Sequence, residues 1–265
     1  MIWWRRIFWA AIGLGAVGNT LPAQAQTTSC RQALAIGMDV SGSVNAQEYT
    51  LQVNGLALAL IDPEVQEALL AMPGAPVRLF VYEWAGLGHR RVLLDWTTIT
   101  AASQIQEVAE ALSATQSRPS DIATALGLSM EFGARALATQ ADCWARTLDI
   151  SGDGQSNAGP RPRRVKPGLA VPDLTINALV VGADAPASTD LREVQIGELA
   201  SYYSAEVIQG PNAFVETALG YEDYQAAMKR KLLRELKIFA IGALEDKSER
   251  PWHGLHVPAQ LILEN

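Results

Sequence analysis

Short apolar runs alternate with helical patterns along most of this 265-residue chain, and that alternation limits its fold more than any other feature. QALAIGMDV (32–40) is an apolar run bounded by turn residues and reads as a buried strand. Tyr49, Val53, Leu56 and Leu60 share one face of a helix over 46–60, with Asn45 as its N-cap. PEVQEALLAM (63–72) is a second helix with proline in its first turn. VRLFVYEW (77–84) is a strand, Gly86-Leu87-Gly88 turns the chain, and RRVLLDW (90–96) returns as the other arm of a hairpin. Ile105, Val108, Ala109 and Leu112 mark a helix, SRPSD (117–121) a turn, and Ile122, Ala125, Leu126 and Met130 a further helix. WARTLDIS (144–151) is a strand that ends in GDGQSN (152–157), and a polar, proline-rich loop follows. LTINALVVG (174–182) is again a strand, 188–203 is helical, AEVIQG (205–210) is a short last strand, and 213–236 is a long helix with Tyr224, Met228 and Leu232 along one side.

Alternation of this kind predicts an α/β fold: a doubly wound, mostly parallel central sheet with helices on both faces and one antiparallel edge hairpin. No fixed-period repeat and no linker divides the chain, so residues 26–236 are expected to form one domain, with 237–265 as a C-terminal extension.

The first 25 residues stand apart. Arg5 and Arg6 precede the apolar stretch IFWAAIGLGAVG (7–18), and Pro22 and Ala23-Gln24-Ala25 follow. A basic start, a short apolar stretch and a small-x-small site read as a cleaved secretory signal. The stretch is shorter than the roughly 20 residues that span a bilayer. The mature protein is therefore expected in the periplasm or outside the cell, with no stable membrane insertion. Arg5-Arg6 leaves open whether the general or the twin-arginine route exports it. Gly13, Gly15 and Gly18 match G-x-G-x-x-G, but inside the signal and outside any βαβ unit, so they mark no dinucleotide site.

Removing residues 1–25, which hold two Arg and no acid, leaves 19 basic against 28 acidic residues, a net charge of −9. Nucleic-acid binding needs clustered cations, and this balance argues against it. The one basic run noted, KRKLLREL (229–236), reads as a solvated helix face near a helix C-terminus. His253 and His256 form H-x-x-H in a segment without helical periodicity, a weak zinc signal.

Chemistry concentrates at two strand ends. In a doubly wound sheet the ligand site lies beyond the carboxyl ends of the strands, where strand order reverses. Asp39-Val40-Ser41-Gly42-Ser43 and Asp153-Gly154 stand at two such ends. With order 3-2-1-4-5-6 the two aspartates become neighbours, and a bound cation removes their repulsion. The alternate spacing of Asp39, Ser41 and Ser43 turns three oxygens toward one point, while Gly42 lets the loop tighten. Hard oxygen donors suit Mg²⁺, Ca²⁺ or Mn²⁺. Neutral serine hydroxyls leave the cation most of its charge, which favours an anionic group from outside.

DVSGS (39–43) with SGDG (151–154) resembles the metal-ion-dependent adhesion site of von Willebrand factor A domains. EYTLQVNGLALAL (48–60), DISGDGQSNAGPRP (149–162), INALVVG (176–182), VIQGPNAF (207–214) and KRKLLREL (229–236) resemble a bacterial branch of that Rossmann-like fold, the domain of unknown function 1194. The resemblance implies Ser41 and Ser43 as direct metal ligands, with Asp39 and Asp153 acting directly or through water. The family's third loop supplies a Thr; the matching position here is Ser120, with Asp121 and Thr124 as rivals. It implies an adhesion-type module that takes the carboxylate of a protein partner on its metal.

Cys30 lies nine residues before Asp39 and Cys143 ten before Asp153. On adjacent parallel strands they come level at the amino-terminal end, so a Cys30–Cys143 disulfide is expected, distant from the metal. Glu83 is expected as an exposed strand-end carboxylate near the site, Trp84 and Trp96 as packing or rim residues, and Ile36 and Met38 as core. The competing enzyme reading is a Mg²⁺-dependent phosphohydrolase with Asp39 as nucleophile. Ser41 stands where such an enzyme places a second aspartate as general acid, so a binding module without catalysis is the expectation.

Overall fold

The computed structural model describes residues 29–118, 120–182 and 189–245. The stretch expected as a secretory signal (1–25) and the H-x-x-H pair lie outside those residues.

Among the described residues six strands form one sheet: β1 (Cys30–Asp39), β2 (Val77–Trp84), β3 (Arg90–Ile99), β4 (Cys143–Gly152), β5 (Leu174–Val181) and β6 (Val215–Ala218). Their order is β3-β2-β1-β4-β5-β6. Every pairing is parallel except the β2–β3 hairpin. The helices are α1 (Ala46–Leu60), α2 (Pro63–Leu70), α3 (Ala102–Ser113), α4 (Leu126–Ala138), α5 (Pro162–Val165), α6 (Thr189–Glu206) and α7 (Tyr224–Glu245).

Side-chain alternation along the strands splits the core in two. Leu34, Ile36 and Met38 face α1, α2, α3 and α7, whereas Cys30, Ala33 and Ala35 face α4, α5 and α6. Helix α1 begins where Asn45 accepts the N–H groups of Gln47 and Glu48 and the Glu48 carboxylate reaches back to the Asn45 N–H, a complete capping box. Tyr49, Val53, Leu56 and Leu60 are buried beneath it.

The register pairs Cys30 with Cys143 and Met38 with Ser151, which brings the two Asp-bearing ends level. The Cys30–Cys143 disulfide is present at the opposite end, with Cα atoms 4.3 Å apart. It closes a loop of 113 residues, for which the chain-entropy account gives about 4.7 kcal/mol.

Several expectations need correcting. The last strand is not 205–210. Val207 and Ile208 instead finish α6 by donating to the Tyr203 carbonyl, and Gln209 makes only a single bridge to Ile176. The true edge strand, Val-Glu-Thr-Ala, is four residues and half polar, too short and mixed for its pattern to show. The helix expected over 213–236 therefore begins only at Tyr224, after a 3₁₀ turn over Tyr221–Asp223. Ile122 lies outside α4 and is 83% exposed. The proline-rich loop contains the short helix α5, with Pro162 at its start. KRKLLREL is not a uniformly solvated face. Lys229 pairs with Asp62 and Glu64, Arg230 with Glu216, and Lys231 is fully buried.

Candidate metal centre

Three loops meet beyond the carboxyl ends of β1 and β4. In the first, β1 ends on Asp39, which is fully buried. Its Oδ1 accepts the Ser41 N–H at 2.8 Å, a local turn that an aspartate makes with its own backbone. Its main-chain carbonyl accepts Gln52 Nε2 at 2.9 Å, so α1 anchors the strand end. That geometry sets the Ser41 and Ser43 hydroxyl oxygens 3.5 Å apart. Ser43 donates to Asp153 Oδ1 at 2.7 Å, joining the two aspartate loops.

The loop preceding α4 closes the third side. The Gly42 N–H donates to the Ile122 carbonyl at 3.2 Å. A Cβ on Gly42 would stand 2.9 Å from the Ile122 Cα, so only glycine permits this approach. Thr124 is clamped by the β4 loop: its N–H donates to Asn157 Oδ1 at 2.8 Å, and its carbonyl accepts the N–H groups of Asn157 and Ala158. Its buried hydroxyl then donates to Ser41 Oγ at 3.2 Å. Ser120 instead donates its hydroxyl to the Val40 carbonyl. Asp121 accepts the Ala123 N–H and lies against Gly86. Of the three third-loop candidates, Thr124 is the one whose hydroxyl meets Ser41.

Charge is unbalanced here. Burial, and the nearby Asp153, push the Asp39 carboxyl up to about 8, and the Ser41 hydrogen bonds offset this only in part. Burial also raises Asp153, against the hydrogen bond from Ser43. Among the described residues neither aspartate forms an ion pair. Asp39 Oδ2 is buried without a hydrogen-bond partner. A Cβ on Gly152 would come within 3.1 Å of that oxygen and 2.4 Å of the Tyr203 hydroxyl, so the backbone stays bare beside it. Tyr203 donates to the Gly154 carbonyl at 3.1 Å and closes the floor.

An orphaned carboxylate oxygen, a second carboxylate, three hydroxyls and no neighbouring cation fit a hard divalent ion. Among the described residues no three His, Cys, Asp or Glu side chains cluster as ligands. The donor set is mainly hydroxyl, and it would leave such an ion most of its charge.

Other sequence-flagged residues lie apart. Glu83 is not exposed but 1% accessible, ion-paired with Arg91 at 2.8 Å and in hydrogen-bond contact with His89 Nε2 at 2.9 Å, and it accepts from Tyr49. The returning hairpin arm supplies Arg91 and the turn before it His89, which the sequence pattern of one strand does not reveal. Trp84 is core, and Trp96 packs on Phe80 at 5.2 Å between ring centroids. Ile36 and Met38 are core as expected. Gln52, Asn157 and Tyr203 hold the loops in place and were not anticipated. Only the polar Gln52 on the otherwise apolar buried face of α1 gives a sequence hint.

Residues 29–239 match the family described as "Protein of unknown function (DUF1194)", and the chain belongs to that family. No curated protein matches the sequence. Among solved structures, the pilus adhesin SpaC from Lactobacillus rhamnosus GG matches with TM-score 0.54 and 13% identity over 81% of this chain and 32% of that one. Proximal thread matrix protein 1 from the mussel byssus matches with TM-score 0.52 and 14% identity over 79% of this chain and 49% of that one. The same byssus protein with a zinc-occupied MIDAS motif matches with TM-score 0.50 and 16% identity over 79% of this chain and 46% of that one. The chain thus spans less than half the length of each of these three solved chains. At these identities the likeness is one of fold: the doubly wound von Willebrand A-like sheet, with its strand order reversing between β1 and β4. Among the described residues no helix is long and apolar enough to cross a membrane.

Proposed function

We propose that this chain is an exported, metal-dependent binding module of the adhesion type that recognises an acidic group on a protein partner. Ser41, Ser43 and Thr124 are its hydroxyl ligands to a divalent cation, Mg²⁺ or else Ca²⁺ or Mn²⁺, and Asp39 and Asp153 hold the cation directly or through water. Thr124 takes the place the sequence resemblance gave to Ser120, because the Ser120 hydroxyl is spent on the Val40 carbonyl. The cation would supply an open, strongly positive coordination position to which a partner's carboxylate binds. Asp39 orients the loop through the Ser41 N–H, Gln52 fixes the strand end, and Asn157 presents Thr124.

The observation that carries this reading is buried Asp39 beside half-buried Asp153, with no compensating cation among the described residues and with Asp39 Oδ2 unpartnered. The solved matches that are an adhesin and a matrix protein agree with a binding role. A phosphohydrolase would need a general acid two residues after Asp39, where Ser41 is buried and hydrogen-bonded to Thr124. Residues 1–25 provide the export signal in this reading, and 26–236 the folded module.

The test is titration calorimetry with Mg²⁺ and Mn²⁺ on the metal-stripped protein, followed by capture of partners from periplasmic extract in Mg²⁺ or EDTA. Metal binding, and capture lost with EDTA and with Ser41→Ala/Ser43→Ala, is the expected outcome. Equal capture in EDTA, or no heat with either metal, rules the reading out.

A further inference from the structure

Away from the loops, a second set of ionisable groups is sealed between α7 and the sheet. Lys231 Nζ lies 2.7 Å from Asp149 Oδ2 on β4 and 2.7 Å from Glu235 Oε1 one helical turn on. Asp149 and Lys231 are 0% accessible and Glu235 2%. Asn177 on β5 accepts the Phe214 N–H on its Oδ1, which aims its amide at Glu235 Oε1, 2.6 Å away. Gln32 on β1 donates to Thr147, and Gln32 and Glu235 line a cavity of about 30 Å³, enough for a water molecule.

Counted as ionised, these groups carry two negative charges against one positive. The surplus charge has no partner: Asp149 Oδ1 and Glu235 Oε2 are buried without donors. The other titratable groups nearby are Tyr224 at the start of α7 and Tyr82 on β2, whose hydroxyls supply no positive charge, and Arg234, which is exposed, lies over the Phe214 ring at 3.8 Å and pairs with neither carboxylate among the described residues. A net charge enclosed in a low-dielectric interior is costly, and such sites neutralise by holding a proton.

We propose that the Asp149–Lys231–Glu235 cluster is an internal proton-binding site, in which one proton held on Asp149 neutralises the surplus charge beside a charged Lys231 and so pins α7 to β4 and β5. Release of that proton leaves a buried negative charge and loosens the helix from the sheet. Burial is what lifts Asp149, to about 7, against the pull of Lys231. Burial alone would lower Lys231, yet Asp149 and Glu235 together outweigh it and keep the ammonium charged.

The sign follows from linkage. A carboxyl raised in the folded state contributes stability that is complete below its unfolded value and lost as pH rises through the folded one. The window here runs from about pH 4 to about pH 7. Chemical unfolding of the intact protein at saturating Mg²⁺ is compared across pH 4–9 for wild type and Glu235→Gln. The glutamine keeps the shape and the acceptor for Lys231 and Asn177 but removes the surplus charge. The wild-type unfolding constant should rise relative to that of Glu235→Gln by up to tenfold per pH unit within the window, and the two should run parallel above it. Infrared spectra, with Asp149→Asn as a second variant, should show a buried protonated carboxyl near pH 6 that both substitutions remove. Parallel curves throughout, or no such carboxyl band, overturns the proposal. Because the readout is stability and infrared absorption at constant metal, failure here leaves the metal-site reading standing.

Discussion

Strand β4 passes two pairs of carboxylates, one fully buried and one half-open, and their surroundings are opposite. Along its length Asp149 faces Glu235 of α7, and Lys231 bridges them at 2.7 Å to each. Just beyond its end, Asp153 meets Asp39 across the switch of strand order, and only hydroxyls and N–H groups surround them. Burial raises a carboxylate in both places, but the inner pair carries its own cation and, among the described residues, the outer pair carries none. The outer pair also opens to the loops, where Ser43 is exposed. Among the described residues no lysine or arginine pairs with Asp39, and in the proposed reading the outer site is the one completed from outside.

Removing the inner cation should have the largest effect. Lys231→Met leaves two uncompensated buried carboxylates, and breaking a buried pair in this way costs about 3–5 kcal/mol. Urea denaturation at pH 7 should show that loss, with part of it recovered toward pH 5 as the carboxylates protonate. A variant as stable as wild type would erase the contrast between the two pairs.

The outer pair should behave in the reverse sense. In EDTA, Asp39→Asn should stabilise the protein at pH 8 and change little at pH 4. Wild-type Asp39, lifted to about 8, loses its contribution as pH rises from about 4 to about 8. Adding Mg²⁺ to one hundred times its dissociation constant should stabilise wild type by about 2.7 kcal/mol and Asp39→Asn by much less. Thermal and chemical unfolding with and without metal read both effects. Equal Mg²⁺ stabilisation of the two proteins would remove Asp39 from the site.

The smallest effect separates two neighbouring hydroxyls. Thr124→Ala should weaken Mg²⁺ about tenfold, about 1.4 kcal/mol, whereas Ser120→Ala should stay within about twofold in calorimetry. The opposite ranking would return the third-loop role to Ser120.

The regular elements were legible where burial writes a simple period. The strands at 32–40, 77–84, 144–151 and 174–182 and the helix at 46–60 were read closely, and the Asn45 cap located the helix start. The edge strand β6 was not, because an edge of four residues needs no apolar run. Val207 and Ile208 misled because the end of a buried helix and a short strand share the same apolar signal. At the site, D-x-S-x-S and Asp-Gly carried the outer constellation, since those oxygens lie on local turns that sequence spacing encodes. Which third-loop hydroxyl meets Ser41 was not encoded locally. It depends on Asn157, reaching from another loop to hold Thr124.

By itself the sequence determined the layered α/β architecture, the two aspartate-bearing strand ends, and the two cysteines that come level once those strands lie side by side. These follow from periodicity and residue count, which propagate along the backbone at a known rise per residue. The tertiary structure alone decided that Lys231 turns inward, that Glu83 is paired, and that Asp39 has no counter-charge among the described residues. Charge compensation is a property of what packs across space. A lysine in a basic run and an aspartate after a strand look the same in sequence whether or not an opposite charge lies within 3 Å.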